Sequence, residues 1–99
     1  MLTSKKTVEN GKALFALEGM LDTLTVPELE KELRDVIGGL TELTWDFSKL
    51  EYMSSAGLRL LLSSQKIMNR QGSMKVVNVN RTVMGILETT GFTDILTIE

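Results

Sequence analysis

Apolar residues recur along this chain with two periods, and the switches between them mark its elements. Thr3 to Glu9 is a weak strand candidate, and Lys12-Ala-Leu-Phe-Ala-Leu-Glu18 is a stronger one. Asn10-Gly11 between them suits a tight hairpin turn, because both residues tolerate positive φ. Gly19 to Leu24 then reads as a loop. From Val26 the period lengthens, and Val26, Leu29, Leu33, Val36 and Ile37 form one buried stripe of a helix. Thr25-Val-Pro-Glu28 supplies its start. Thr25 serves as N-cap, Glu28 as the reciprocal partner of a capping box, and Pro27 sits in the first turn, where its missing N–H costs nothing. Gly38-Gly39 ends it.

Leu43, Trp45 and Phe47 alternate with Thr44, Asp46 and Ser48, which predicts a third strand over 43–47. A second helix runs from about Ala56 to Gln71 and closes at Gly72. Met74 to Val79 reads as a fourth strand, and Asn80 caps a short third helix carrying Val83, Met84, Ile86 and Leu87, which Gly91 stops. Phe92 to Ile98 completes the order as a last short strand. This succession predicts one α/β domain over residues 1–99, with a mixed sheet of about five strands and helices packed on it.

Between the third strand and the second helix lies Ser54-Ser55-Ala56-Gly57. A hydroxyl at a helix start caps free N–H groups of the first turn, a contribution of about 1 kcal/mol. The same N–H groups and the positive end of the helix dipole also suit an anion, such as a phosphate carried on the hydroxyl. Spacing alone leaves both uses open. Asp22, shortly before the first helix, reads as a turn residue that bonds to nearby backbone. Asp46, at the end of the central strand, is placed to tie down the loop that follows. Gly57 gives the helix start room for a close backbone approach.

Composition narrows the chemistry. Ninety-nine residues, 42% hydrophobic and 24% charged, describe an ordinary globular chain with one core. A net charge of −2 gives no reason to expect nucleic acid or an anionic membrane as partner. No apolar run approaches the roughly 20 residues of a membrane span, and the N-terminus lacks the apolar core of a signal peptide, so the expected location is the cytoplasm. There is no cysteine and no histidine. Disulfides, thiolate sites and a Ser-His-Asp triad are thereby excluded, and the commonest general base and metal ligand are missing. An enzyme is not expected, nor any metal or other cofactor.

The second helix has two apolar sides. Leu58, Leu61, Leu62, Gln65 and Met68 share the side expected against the sheet. Leu60 and Ile67 lie opposite, and Arg59, Lys66 and Arg70 form a basic edge between them. A neighbouring helix covering Leu60 and Ile67 is one reading; a docking patch with a basic border is the other.

Asp46-Phe-Ser, followed by Tyr52-Met-Ser-Ser-Ala-Gly-Leu-Arg59 and an aliphatic helix, resembles the STAS domain, named for sulphate transporters and anti-sigma factor antagonists. Gly19-Met-Leu-Asp22 before a Thr-started helix is similar to the family's Gly-x-Leu-Asp segment. Leu87-Glu-Thr-Thr-Gly-Phe92 is similar to its C-terminal Leu-x-x-x-Gly-Phe pattern. The resemblance spans nearly the whole chain. It implies an anti-sigma factor antagonist, which binds a kinase-type anti-sigma factor and frees the sigma factor. The partner uses its own ATP to phosphorylate one serine at the start of this helix, and a serine phosphatase reverses the step.

The family motif is Asp-Ser-Ser-Gly or Asp-Ser-Thr-Gly, with the first hydroxyl residue as acceptor. Laid over this chain, the acceptor is Ser55, the family aspartate falls on Ser54, the second hydroxyl residue on Ala56, and Gly57 and Leu58 match. Ser54 in place of an acidic residue leaves Ser54 as the second choice of acceptor. The resemblance points to Asp22, Ser54, Ala56 and Gly57 as partner-binding positions and to a monomer when free; the docking reading of the second helix adds Arg59, Leu60 and Ile67 to the partner-binding positions. The alternative it also accommodates is a STAS module that docks without switching, for example as a small subunit of a membrane-associated lipid transport system.

Overall fold

A computed structural model describes residues 1–99. Strand β1 (Leu2–Glu9) and strand β2 (Lys12–Leu21) form an antiparallel hairpin in which Glu9 pairs Lys12. Asn10 and Gly11 take φ of 51° and 77°, the left-handed pair that a two-residue hairpin loop requires. Helix α1 (Val26–Ile37) carries the chain to β3 (Glu42–Met53), which lies parallel to β2. Helix α2 (Ser55–Gln71) leads to β4 (Ser73–Val77), parallel to β3. Helix α3 (Arg81–Thr89) and a 3-10 turn, Phe92–Asp94, complete the chain.

The sheet has four strands in the order β1-β2-β3-β4, not the five expected. The segment expected as a fifth strand begins as the 3-10 turn, and only Ile98 bridges to Val76 at the β4 edge. Gly91, with φ of 79°, stops α3 as expected but leaves only a few residues to reach that edge. Strands β2 and β3 are longer than the alternation predicts. Gly19 to Leu21, expected in a loop, continue β2, and β3 runs on to Met53.

The length of β3 was hidden by two irregularities in its pairing with β2, between Ala16 and Glu18 and between Gly19 and Met20. Each inserts an extra residue in β3, so the strand buries Phe47, Leu50 and Met53 at a spacing of three instead of two. A bulge advances the side-chain phase by one position and bends the strand without ending it.

Ala13, Phe15, Leu17 and Leu21 of β2 meet Leu43, Trp45 and Phe47 of β3 in the core. Trp45 is fully buried, 5.2 Å from Phe15 and 6.4 Å from Phe47 between ring centroids, and its indole N–H donates to Met74 Sδ at 3.4 Å. Leu29, Leu33 and Ile37 of α1 and Leu58, Leu61 and Met68 of α2 cover this surface. Gln65 is buried as the sheet-facing pattern implies, its amide donating to Asn69 at 2.8 Å, and Leu62 is half-buried.

Leu60 is 4% exposed and belongs to the same core. With Ile67 it lines a small groove against Leu33 and Ile37 of α1. The outward docking position expected for Leu60 is thus corrected. Its side of α2 is covered by α1, because consecutive parallel crossovers of one hand set both helices side by side on one sheet face. Ile67, 39% exposed, lies at the open margin of that contact.

Candidate functional site

The carboxyl ends of β2 and β3 lie side by side, with Met20 opposite Tyr52 and Leu21 opposite Met53. The segments leaving those ends therefore meet: Asp22 to Thr25 on one side, Ser54 and the start of α2 on the other. The Ser54 N–H donates to the Leu21 carbonyl at 2.9 Å, which ties them together.

Ser54 is the N-cap, with extended backbone (φ −90°, ψ 178°), and its Oγ accepts from the Ala56 N–H at 3.3 Å. Its carbonyl accepts the first helical bond, from Leu58 at 3.1 Å. Ser55 is the first helical residue. Its side chain is exposed and makes no hydrogen bond to the rest of the chain. The two uses that spacing leaves open are thus divided between two adjacent residues: Ser54 caps, and the Ser55 hydroxyl is free beside N–H groups that an α-helix leaves without partners.

Gly57 is buried, and a Cβ there would stand 2.7 Å from Met53 Cγ and 2.9 Å from Leu21 Cγ. The absent side chain lets the first turn of α2 rest directly on the ends of both central strands, which sets the position of Ser55. Ala56 is buried as well, whereas Arg59 is exposed.

Asp22 makes the turn on the opposite side. Its Oδ1 accepts from the N–H groups of Leu24 at 3.0 Å and Thr25 at 3.1 Å. Thr25 occupies the N-cap position of α1 but makes no capping bond, so the capping box expected with Glu28 is not formed. Its hydroxyl instead donates to Met20 O at 2.9 Å and accepts from the Asp22 N–H at 2.9 Å. The conflict is geometric. A Thr25 hydroxyl turned back onto the end of β2 cannot also face the first turn of α1.

This cross-bonded turn leaves Leu24 89% exposed, and Tyr52 at the end of β3 is 42% exposed. Sequence reasoning passes over both. The signal for Leu24 is a lone leucine between threonines in a polar turn, and for Tyr52 it is the phase change caused by the bulges. Ile67 stands about three turns along α2 from Ser55, so the structure does not bring it into this cluster.

Asp46 lies within β3 rather than at its end, and its Oδ1 accepts from the Ser48 N–H at 2.9 Å across the first bulge. That bond holds its carboxyl below the ordinary value of 3.8; burial opposes the shift, while the Ser48 hydroxyl, Asn78 and Lys49 add to it. Asp46 fixes the bulge, and Asn80 supports the same strand. The Asn80 amide donates to Leu50 O at 2.6 Å and to Phe47 O at 3.4 Å, while its Oδ1 caps α3 at the Val83 N–H. No group of three or more acidic side chains is placed to hold a metal, and no helix is long and apolar enough to cross a membrane.

Known proteins share this fold. The STAS domain model matches residues 4–99. BtrV of Bordetella bronchiseptica, which carries the name of an anti-sigma factor antagonist, is 30% identical over 91 residues, covering 90% of this chain and 78% of that protein. The crystal structure of an anti-sigma factor antagonist from Mycobacterium paratuberculosis superposes with a TM-score of 0.88 at 21% identity, over 99% of this chain and 85% of that one. SpoIIAA in its unphosphorylated form gives 0.84 at 20% identity, over 98% of this chain and 88% of that one. The phosphorylated form of SpoIIAA from Bacillus gives 0.75 at 20% identity, over 100% and 91%. A family model that spans almost every residue, on a fold that carries the serine pair at the end of the central strand, places this chain in the STAS domain family.

Proposed function

We propose that this protein is an anti-sigma factor antagonist. In this reading the unmodified chain binds a kinase-type anti-sigma factor through the surface at the start of α2, and phosphorylation of Ser55 by that ATP-using partner releases it. A serine phosphatase restores the binding form. The general role is supported by the names that BtrV and the neighbouring structures carry. The switch is supported by one observation above all: Ser54 takes the capping bond, which leaves the Ser55 hydroxyl exposed and unengaged.

The energetics favour such a switch. A phosphoserine adds about −1.5 to −2 charges at pH 7. At the first residue of a helix that charge faces unpaired N–H groups and the positive end of the dipole, so the fold tolerates it. Inside a desolvated interface the same charge and bulk oppose binding. Ser54 is the poorer acceptor, since its modification disturbs the cap. Asp22 follows Leu21, whose carbonyl bonds the Ser54 N–H, Arg59 stands one helical turn beyond Ser55, and the exposed Leu24 in the Asp22 turn offers a partner an apolar contact.

The test combines chemistry and binding. After incubation with the cognate anti-sigma kinase and ATP, phosphopeptide mass spectrometry should place the phosphate on Ser55. Wild type and Ser55→Ala should bind that kinase, and Ser55→Asp should bind it at least about tenfold more weakly, the equivalent of roughly 1.4 kcal/mol. Equal binding by all three would instead make the protein a docking module that does not switch.

A further inference from the structure

Arg59 stands one helical turn beyond Ser55, is exposed, and forms no ion pair with a carboxylate of the chain, whose three ion pairs are Lys12–Glu42, Arg34–Glu30 and Lys75–Glu99. Residues four apart on a helix are surface neighbours, with Cβ atoms about 5–6 Å apart. Helical side chains lean toward the helix N-terminus, so Arg59 reaches back over the turn that carries Ser55. An anion followed four residues later by a cation is also the order that gains most from the helix dipole. The other cations of the basic edge are too distant: Lys66 is about 16 Å farther along the axis than Ser55 at 1.5 Å per residue. At position 54 a serine, not a carboxylate, flanks the acceptor, so no acidic side chain there competes for the guanidinium.

Building on the phosphoswitch reading, we propose that Arg59 holds the Ser55 phosphate as an (i, i+4) ion pair. Its planar fork of N–H donors matches phosphate oxygens in a way an ammonium does not. Modification then acts twice on one surface. It adds negative charge at Ser55, and it turns inward a guanidinium that the unmodified protein leaves free for acidic groups of the partner. Arg59 is a positioning residue for the phosphate, and the helix N–H groups hold the opposite side of it.

Phosphoserine placed at position 55 during translation permits a test without any kinase. The second ionisation of the phosphate, ordinarily near pH 6, is followed by 31P NMR in wild type, Arg59→Gln and Lys66→Gln. Asp22, Lys49, Glu51 and Tyr52, the other ionisable groups near this helix start, are common to all three. In Arg59→Gln the midpoint should rise by about 0.3 pH unit, the size of one (i, i+4) pair, while Lys66→Gln overlays wild type. Coincident curves for wild type and Arg59→Gln, or equal shifts in both variants, overturn the proposal. A second measurement is a thermal-unfolding cycle of Ser55→Glu with Arg59→Gln, in which coupling supports the pair and strict additivity overturns it. Because the phosphate is installed independently, loss of the Arg59 effect removes the clamp and leaves the switch standing. Failure of a kinase to modify Ser55 removes the switch instead.

Discussion

Ser54 and Ser55 are neighbours of the same type, and one peptide unit separates a structural role from a chemical one. The difference is conformational. Ser54 keeps extended backbone angles and directs its oxygen at the Ala56 N–H, whereas Ser55 has already entered the helix and points away. Gly57 makes that arrangement possible by letting α2 start against Leu21 and Met53. Gly57→Ala should therefore destabilise the protein by about 1–3 kcal/mol, as overpacking does in a tight core. Urea unfolding monitored through Trp45 would measure it, and an unchanged midpoint would mean that Met53 and Leu21 move aside freely. The sequence suggests the reason for this glycine, but only the strand ends identify the atoms it avoids.

At the scale of elements, α2 packs on two sides. Its period shows one face toward the sheet, and it also shows Leu60 and Ile67 on the other, without saying what meets them. The structure separates the pair: Leu60 is enclosed by α1, and Ile67 lies at the rim. Leu60→Ala should cost about 2–5 kcal/mol, the range for emptying a buried leucine site, while Ile67→Ala should stay within about 1 kcal/mol of wild type because much of its surface is already in water. Comparing the two unfolding midpoints checks the assignment; similar costs would mean that Ile67 is as enclosed as Leu60. The substitution Leu60→Asp, which an exposed patch would tolerate, places a charge in the core and should prevent folding rather than report on a partner.

Across the whole molecule, long-range hydrogen bonds set the relation between layers. Gln71 donates to Ile37 O at 2.6 Å and Leu40 O at 2.8 Å, and so joins the end of α2 to that of α1. Asn80 joins α3 to the irregular half of β3, and Asp46 holds the bulge there. Asp46 carries a consequence for pH. Folding lowers its affinity for a proton, so its contribution to stability is present above its ordinary value near 3.8 and is lost as pH falls through the lower value of the folded state. Wild-type stability should consequently fall more steeply below about pH 4 than that of Asp46→Asn, in which that titration is absent. Parallel slopes in an acid titration of unfolding free energy would remove Asp46 from the account.

What the sequence determined by itself was whatever depends on nearest neighbours along the chain: the Asn10-Gly11 hairpin, the stripe of α1, the Asn80 cap and the stop at Gly91. Each rests on local backbone preference or helical period, which residues a few positions apart decide. The motif around Ser55 was legible for the same reason, being contiguous. Tertiary structure alone decided where β3 ends, because bulges are defined by register against β2. It decided that the last segment reaches the β4 edge with one bridge and not a full strand. It also turned Thr25 away from its helix and onto the end of β2. Those outcomes depend on contacts between segments distant in sequence, and no local pattern carries the competition among them.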